Sequence, residues 1–289
     1  MSALPAAGLS IVTVCMNRRA HLLATAPRVA AWPWHREHLI VDWSSAEPLR
    51  REDLPEDPRL RLLRVEGESR WTPGRAYNFA LAHARGDWLV RMDADCWPTA
   101  AFLPSPLQAS GGVWVGEGGE GRFGQFLMHR ERFTSVGGFN EFLEGWGFED
   151  KDLRARLEVQ AGVPLHSLPA AAIGVIPHSD EERMGQARAG AGRPLRVSLG
   201  LATMRSSRLG NRLLAAHCPW GAVTPACRYR EIRPGHWRLE EGTAPQPPAD
   251  TRDEIDHARR MAFWGCFLAI PEIFLEELPV KLVPPSRDG

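Results

Sequence analysis

Lysine is missing from the first half of the chain: none occurs before Lys151. A glycine- and lysine-rich phosphate loop after the first apolar run is therefore absent, and Cys15-Met-Asn-Arg18 stands in its place. Paired cysteines are missing too. Cys15, Cys96, Cys218, Cys227 and Cys266 are scattered, odd in number and never spaced Cys-x-x-Cys. That pattern argues against a disulfide framework or a structural zinc and for a reducing compartment. There is no excess of charge, since 35 Lys and Arg balance 35 Asp and Glu, which excludes a general nucleic-acid binder. No basic stretch followed by an apolar core opens the chain, so no signal peptide is expected. The longest apolar run, Met261 to Ile270, is too short for a bilayer and is followed by Pro271 and Glu272. No internal repeat is visible. These absences leave the expectation of a soluble cytoplasmic protein whose 289 residues suit one large domain, or a domain with an appendage.

What is present alternates. Leu9 to Cys15, Leu39 to Val41, Leu60 to Val65 and Trp88 to Met92 are short apolar runs that read as buried strands. Helical spacing fills the gaps from His21 to Ala31 and from Gly74 to Ala84. Strands alternating with helices predict an α/β fold with parallel strands, whose ligands bind beyond the strands' carboxyl ends. Asp42 and the pair Asp93 and Asp95 fall at such ends. In extended chain the two aspartates of Asp93-Ala94-Asp95 lean to one side, and two hard oxygen donors suit magnesium or manganese on a diphosphate. Asp-x-Asp alone also occurs by chance in loops.

Further on, a strand is expected at Phe126 to Met128, a short helix over Arg130 to Val136, and another strand within Pro164 to Ile176. Between them lies Gly145-Trp-Gly-Phe-Glu-Asp-Lys-Asp152, which opens an amphipathic helix at Glu149. The helix macrodipole accounts for one carboxylate there. It does not account for a tryptophan between two glycines, and an exposed ring beside a carboxylate suits a sugar. His178 follows a strand, where a polar surface residue is the plain reading. Arg205, Arg208 and Arg212 share one helix face in a basic stretch that is either solvated or meets an anion. Gly242 to Ala249 is a proline-rich linker. After it, Asp253 to Ile270 reads as a helix with Met261, Phe263, Trp264 and Phe267 packed on the main domain rather than on a membrane.

Three blocks in order resemble family 2 glycosyltransferases of the GT-A fold. They are Ser10-Ile-Val-Thr-Val-Cys-Met-Asn-Arg18 with Leu39-Ile-Val-Asp-Trp-Ser-Ser45; Gly74-Arg-Ala-Tyr-Asn78 with Arg91-Met-Asp-Ala-Asp95; and Gly137-Gly-Phe-Asn140 with Gly145-Trp-Gly-Phe-Glu-Asp150. The third is similar to the carboxyl-terminal part of β-1,4-galactosyltransferases. The resemblance implies a Rossmann-like mixed sheet flanked by helices over 8–185, followed by a mainly helical extension over 186–289. It implies an inverting, metal-dependent transfer of a hexose or N-acetylhexosamine from a nucleotide sugar, a UDP-sugar above all, to a carbohydrate or glycoconjugate acceptor. Mn2+ or Mg2+ is the implied cofactor, and a peripheral membrane contact stays open. By position it assigns Arg18, Asp42, Arg75 and Asn78 to the nucleotide, Asp93 to ribose or metal, and Asp95 and His178 to the metal. Trp146 would face the sugars, Glu149 hold the acceptor hydroxyls, and Asp150 act as general base. One departure is Val175, where the galactosyltransferases have a metal-binding methionine.

Two other readings remain open from the residues alone. A nucleotidyltransferase making sugar nucleotides shares such a sheet but calls for the missing lysine loop. A non-catalytic sugar-binding module accounts less well for Asp93, Asp95, Glu149, Asp150 and His178 together.

Overall fold

The computed structural model describes residues 8–119, 121–177 and 193–265, with side chains from 202 onward in the last segment. The basic stretch before residue 193, His178 and Phe267 lie outside the described residues.

The first strand, β1 (Leu9–Cys15), is buried at every position. Its side chains alternate between two cores as period-two geometry requires. Val12 and Val14 face one helical layer, whereas Leu9, Ile11 and Cys15 face the other. β2 (Glu37–Trp43) repeats the pattern, with Leu39, Val41 and Trp43 on the first side and Ile40 on the second. Between them, α1 (Arg19–Ala31) packs Leu22 and Ala26 against Ile40. β3 (Leu60–Glu66), α2 (Pro73–His83) and β4 (Trp88–Arg91) complete the unit, and Ala76, Phe79 and Ala80 of α2 close the first core. β1, covered on both faces, reads as an uncharged and mostly apolar run, which is why it starts where the sequence places it.

The chain continues through β5 (Cys96–Pro98), α3 (Pro104–Ala109), β6 (Val113–Gly116), β7 (Phe126–His129), α4 (Arg130–Ser135), α5 (Glu149–Val159), β8 (Leu165–Leu168) and β9 (Ile173–Val175). The described residues go on to a long helix α6 (Arg193–His217), a hairpin β10 (Tyr229–Arg233) and β11 (His236–Leu239), and α7 (Ala249–Gly265). Among the described residues nine strands form one sheet in the order β10-β11-β3-β2-β1-β4-β7-β6-β8. β11, β3, β2, β1 and β4 are parallel, while β7 runs against both β4 and β6. β5 and β9 make a separate antiparallel pair.

Two features differ from the sequence reading. The hairpin β10–β11 extends the main sheet beside β3, although its stretch carries no apolar run; its alternating charges mark an exposed edge. On α7 it is Ile255 and Ala262, with Ala258 beside them, that pack against Leu209, Leu213 and Leu214 of α6. Met261 and Trp264 are more than half exposed instead of packed on the main domain. Among the described residues no helix is long and apolar enough to cross a membrane.

Candidate active site

The centre of the site is a residue that sequence reasoning passed over. Arg91 ends β4, and its side chain is only 4% exposed. A guanidinium this deep needs carboxylates, and it has two. Its Nε and Nη2 each lie 3.2 Å from Asp93 Oδ1, and its Nη1 is paired with Asp150 Oδ1. The guanidinium also lies over the rings of Tyr77 and Phe139, at 4.1 and 5.3 Å from their centroids. Burial opposes its charge, but Asp150 and Asp93 more than compensate and raise its pKa well above the ordinary value.

Asp93 is held on all sides. Tyr77 donates its hydroxyl proton to Oδ1 at 2.5 Å, Gln125 donates its amide to Oδ2 at 2.8 Å, and Gln125 Oε1 accepts from the Asp93 N–H at 2.9 Å. Burial acts to raise its pKa, but Arg91, Tyr77 and Gln125 together hold the carboxyl below the usual range. Asp95 takes different partners. Ala94 and Asp95 form a turn instead of continuing as extended chain, so the two aspartates do not share one set of contacts. Arg18 stands 3.4 Å from Asp95 Oδ2, and the Ile176 N–H donates to the Asp95 carbonyl at 2.9 Å. The pairing of β5 with β9 thus brings Val175 and Ile176 beside Asp95.

Glu149 and Asp150 open α5, as the sequence indicated. Asp150 is 22% exposed at its side chain, and its Oδ2 has no bonded donor among the described residues. Gly124 faces it across a narrow gap: a Cβ there would stand 3.1 Å from both Asp150 Oδ2 and Arg91 Nη2. Glu149 is buried, and its Oε2 has no hydrogen-bond partner among the described residues. Burial, aided by the charge of Asp150, pushes its pKa up to about 8 against the pull of Arg91. The third carboxylate of the motif has a structural task. Asp152 pairs with Arg156 at 2.7 Å, and Arg156 donates to the carbonyls of Val136 and Gly138.

The sign of the Glu149 shift sets a stability prediction. A carboxyl whose folded pKa lies above its unfolded one favours folding in acid, and that contribution is lost as pH rises toward the folded pKa. Between about pH 4.5 and 8 the folded chain therefore loses stability at this site. Glu149→Gln, a neutral isostere, should raise the melting temperature at pH 8 relative to the parent and leave it nearly unchanged at pH 4.5. Parallel melting curves for the two proteins across that range would refute the buried, protonated Glu149.

Trp146 is 41% exposed, in a loop where Gly145, Gly147 and Phe148 all adopt positive φ, of 73, 91 and 80°. Phe148 is the costly one, since left-handed backbone disfavours a side chain and persists only under outside restraint. The restraint is α6. Ser207 Oγ accepts from the Trp146 N–H at 2.9 Å, and buried Asn211 bridges the Glu144 N–H and the Gly147 carbonyl at 3.0 and 2.8 Å. The sequence signal was a serine and an asparagine four apart, hence on one helix face, within a stretch read only for its arginines. Asn211→Ala leaves both backbone groups unpaired, at about 1–3 kcal/mol each if they stay dry. Its expected effect is a melting temperature lower by several degrees together with faster backbone hydrogen exchange in the Trp146 loop, and exchange in that loop equal to the parent's would show that Asn211 does not hold it.

Two residues expected at a nucleotide are otherwise engaged. The Asp42 side chain is 1% exposed, accepting from the N–H groups of Ser45 and Leu49 at 3.0 Å each and pairing with Arg64. It shapes the 44–49 loop and presents no surface to a base. Asn78 donates to Phe139 O and Glu141 Oε1 and accepts from the Phe139 N–H, which clamps the turn after Gly138. Arg75 is buried with its Nε unbonded and its Nη2 3.9 Å from Glu144, near the tryptophan loop. Among the described residues no three His, Cys, Asp or Glu side chains are grouped to hold a metal ion. Two half-open cavities of about 270 and 260 Å3 lie away from the Arg91 cluster.

The fold is that of GT-A glycosyltransferases. A mannosyltransferase from Pyrobaculum calidifontis, solved with GDP-Man and Mn2+, aligns at a TM-score of 0.50 and 15% identity, over 95% of this chain and 81% of the other. The catalytic domain of Drosophila beta1,4-galactosyltransferase 7 with xylobiose aligns at 0.48 and 16% identity, over 81% and 93%. Glucosyl-3-phosphoglycerate synthase from Mycobacterium tuberculosis, with Mn2+, UDP-glucose and phosphoglyceric acid, aligns at 0.47 and 17%, over 70% and 79%. No curated protein matches the sequence. Residues 10–109 match the family model described as glycosyl transferase family 2, and residues 119–178 match that described as the N-terminal domain of galactosyltransferase. The chain thus carries a segment similar to family 2 glycosyltransferases followed by one similar to galactosyltransferases, neither match reaching half of its length.

Proposed function

We propose that the protein transfers a hexose or N-acetylhexosamine from a nucleoside-diphosphate sugar, a UDP-sugar above all, to a hydroxyl of a carbohydrate or glycoconjugate acceptor, with inversion at the anomeric carbon. The observation that carries this reading is the double ion pair of Arg91, which joins Asp93 beyond β4 to Asp150 at the start of α5. It joins the segment similar to family 2 glycosyltransferases, where the donor is proposed to bind, to the segment similar to galactosyltransferases, where the acceptor is proposed to bind. Asp150, anchored through Oδ1, turns its other oxygen to the acceptor hydroxyl and takes its proton. Such a base must stand within hydrogen-bond reach of the proton it removes. One base suffices for direct displacement, with the leaving diphosphate on the opposite side of the sugar.

Trp146 offers its exposed ring to the C–H face of a sugar. Glu149, neutral below about pH 8, holds a proton at its Oε and donates it to an acceptor oxygen. Arg18 and Arg75 meet the phosphates, and Asp42 and Asn78 act by shaping the loops around them. Asp93 and Asp95 supply hard carboxylate oxygens, and one or two of these together with substrate phosphates make the donor set that Mg2+ or Mn2+ takes. His178 is assigned to complete that set. When bound, the cation neutralises the charge gathering on the leaving diphosphate. Cys15, Cys96, Cys218 and Cys227 are free thiols, which supports a cytoplasmic location.

The test is incubation with a panel of nucleotide sugars and oligosaccharide acceptors, with manganese or with excess chelator, following released nucleoside diphosphate and the anomeric configuration of the product. Transfer that survives chelation removes the cation from the mechanism. Release of pyrophosphate in place of nucleoside diphosphate would indicate nucleotidyl transfer, and binding without turnover a sugar-binding module.

A further inference from the structure

The amino ends of the parallel strands, opposite the ends that carry the site above, hold a second concave feature. A half-open cavity of about 260 Å3 opens there between the starts of β1, β2 and β3 and the turn before β4. Four arginines line it: Arg36, Arg59, Arg61 and Arg85. Two are already neutralised. Arg61 pairs with Glu37 Oε1, and Arg59 grips Asp57 through Nε and Nη2 at 2.9 and 2.8 Å. The second oxygen of Glu37 is equally committed, accepting from Ser10 Oγ at 2.6 Å and from the Arg85 N–H at 2.7 Å. Glu37 is therefore a buried brace of the cavity wall, only 4% exposed, with no capacity left for a further cation.

Arg36 and Arg85 are different. Both are exposed, and neither guanidinium has a carboxylate partner among the described residues. Two unpaired guanidinium groups thus remain on a cavity whose one lining carboxylate is satisfied, with the exposed Asp87 beside Gly8 at its rim. Guanidinium forks favour planar, multidentate oxyanions, and two of them match the charge of a phosphate monoester. The volume takes a phosphate and a small organic body beside it.

We infer that this cavity binds a phosphate monoester dianion between Arg36 and Arg85, at a site separate from the one where the sugar is transferred. The inference does not rest on the reading of the catalytic site. The ester is carried by a small soluble molecule or by a lipid headgroup, and the chemistry at the arginines is the same.

The test uses the full chain with a saturating nucleoside diphosphate, so that the donor site is closed to phosphate. Calorimetric titration with inorganic phosphate and with a hexose phosphate covers the soluble source, and sedimentation with vesicles containing phosphatidic acid, against neutral vesicles, covers the lipid. Binding by at least one probe is expected, weakening as salt is raised. In Arg36→Gln with Arg85→Gln it should be weaker by about tenfold or more. These exposed substitutions should leave the melting temperature and transferase turnover unchanged. Undiminished binding by the double variant, or no binding of any probe by the parent chain, overturns the site.

Discussion

Asp150→Asn should lower turnover by about 10²–10⁴-fold, the usual worth of general-base catalysis, with donor affinity close to that of the parent. The structure explains why this substitution isolates the proton transfer. Asparagine keeps the shape of the side chain, and its Oδ1 can still accept from Arg91 Nη1, which anchors the aspartate. The start of α5 should therefore stay in place. What is lost is the basicity of Oδ2, the oxygen left without a bonded donor in front of Gly124. Steady-state kinetics at saturating donor and acceptor, with calorimetry of the nucleoside diphosphate, separates the two effects. Near-parental turnover in Asp150→Asn would move the base elsewhere, and Glu149 is then the next group to examine. Glu149→Gln at pH 7 should be mild by comparison, because burial already keeps that carboxyl neutral and glutamine preserves a donor there.

Much of the frame was legible because the parallel strands are covered on both faces. Leu9 to Cys15 is uncharged and mostly apolar because it is buried at every position between two helical layers, and such a run announces its own ends. The hairpin β10–β11 had no such signal. It lies at the sheet's edge, where Arg230, Glu231 and Arg233 are exposed, and only the pairing of β11 with β3 makes it a strand. The packed face of α7 lacked a signal for a related reason. Apolar bulk at Met261 and Trp264 suggests a packed face, but small Ala258 and Ala262 are what allow close approach to α6.

At the site, the residue types were visible and their partnerships were not. A tryptophan between glycines beside two carboxylates is a local pattern, and it opens α5 as read. Whether an aspartate faces a ligand or the protein depends on distant groups. Asp42 lies at a strand end like Asp93, yet Arg64 and two backbone N–H groups enclose it. The clamp on the Trp146 loop comes from Ser207 and Asn211, more than sixty residues further along the chain. Arg91 could have been found: an arginine ending an otherwise apolar strand, two residues before an aspartate, must bury its charge against carboxylates.

Arg91→Gln should be the most destabilising single change in the site. Glutamine removes the charge that Asp93 and Asp150 share and leaves two carboxylates close together with none between them. Breaking a buried pair by deleting one partner costs about 3–5 kcal/mol, and partial exposure of both aspartates points to the lower end of that range. At roughly 2–4 °C per kcal/mol for a chain somewhat smaller than this one, the melting temperature should fall by about 6–12 °C near neutral pH. The deficit should shrink in acid. Asp93 has a depressed pKa, so its contribution is present above the ordinary carboxylate value and is lost as pH falls through the folded one. Combining Arg91→Gln with Asp150→Asn should recover part of the loss, since the second change removes one of the charges stranded by the first. Thermal melts of both single variants and the double variant, at pH 7 and in acid, decide the matter. If Arg91→Gln melts within a degree of the parent at pH 7, Arg91 is not what holds the two carboxylates together.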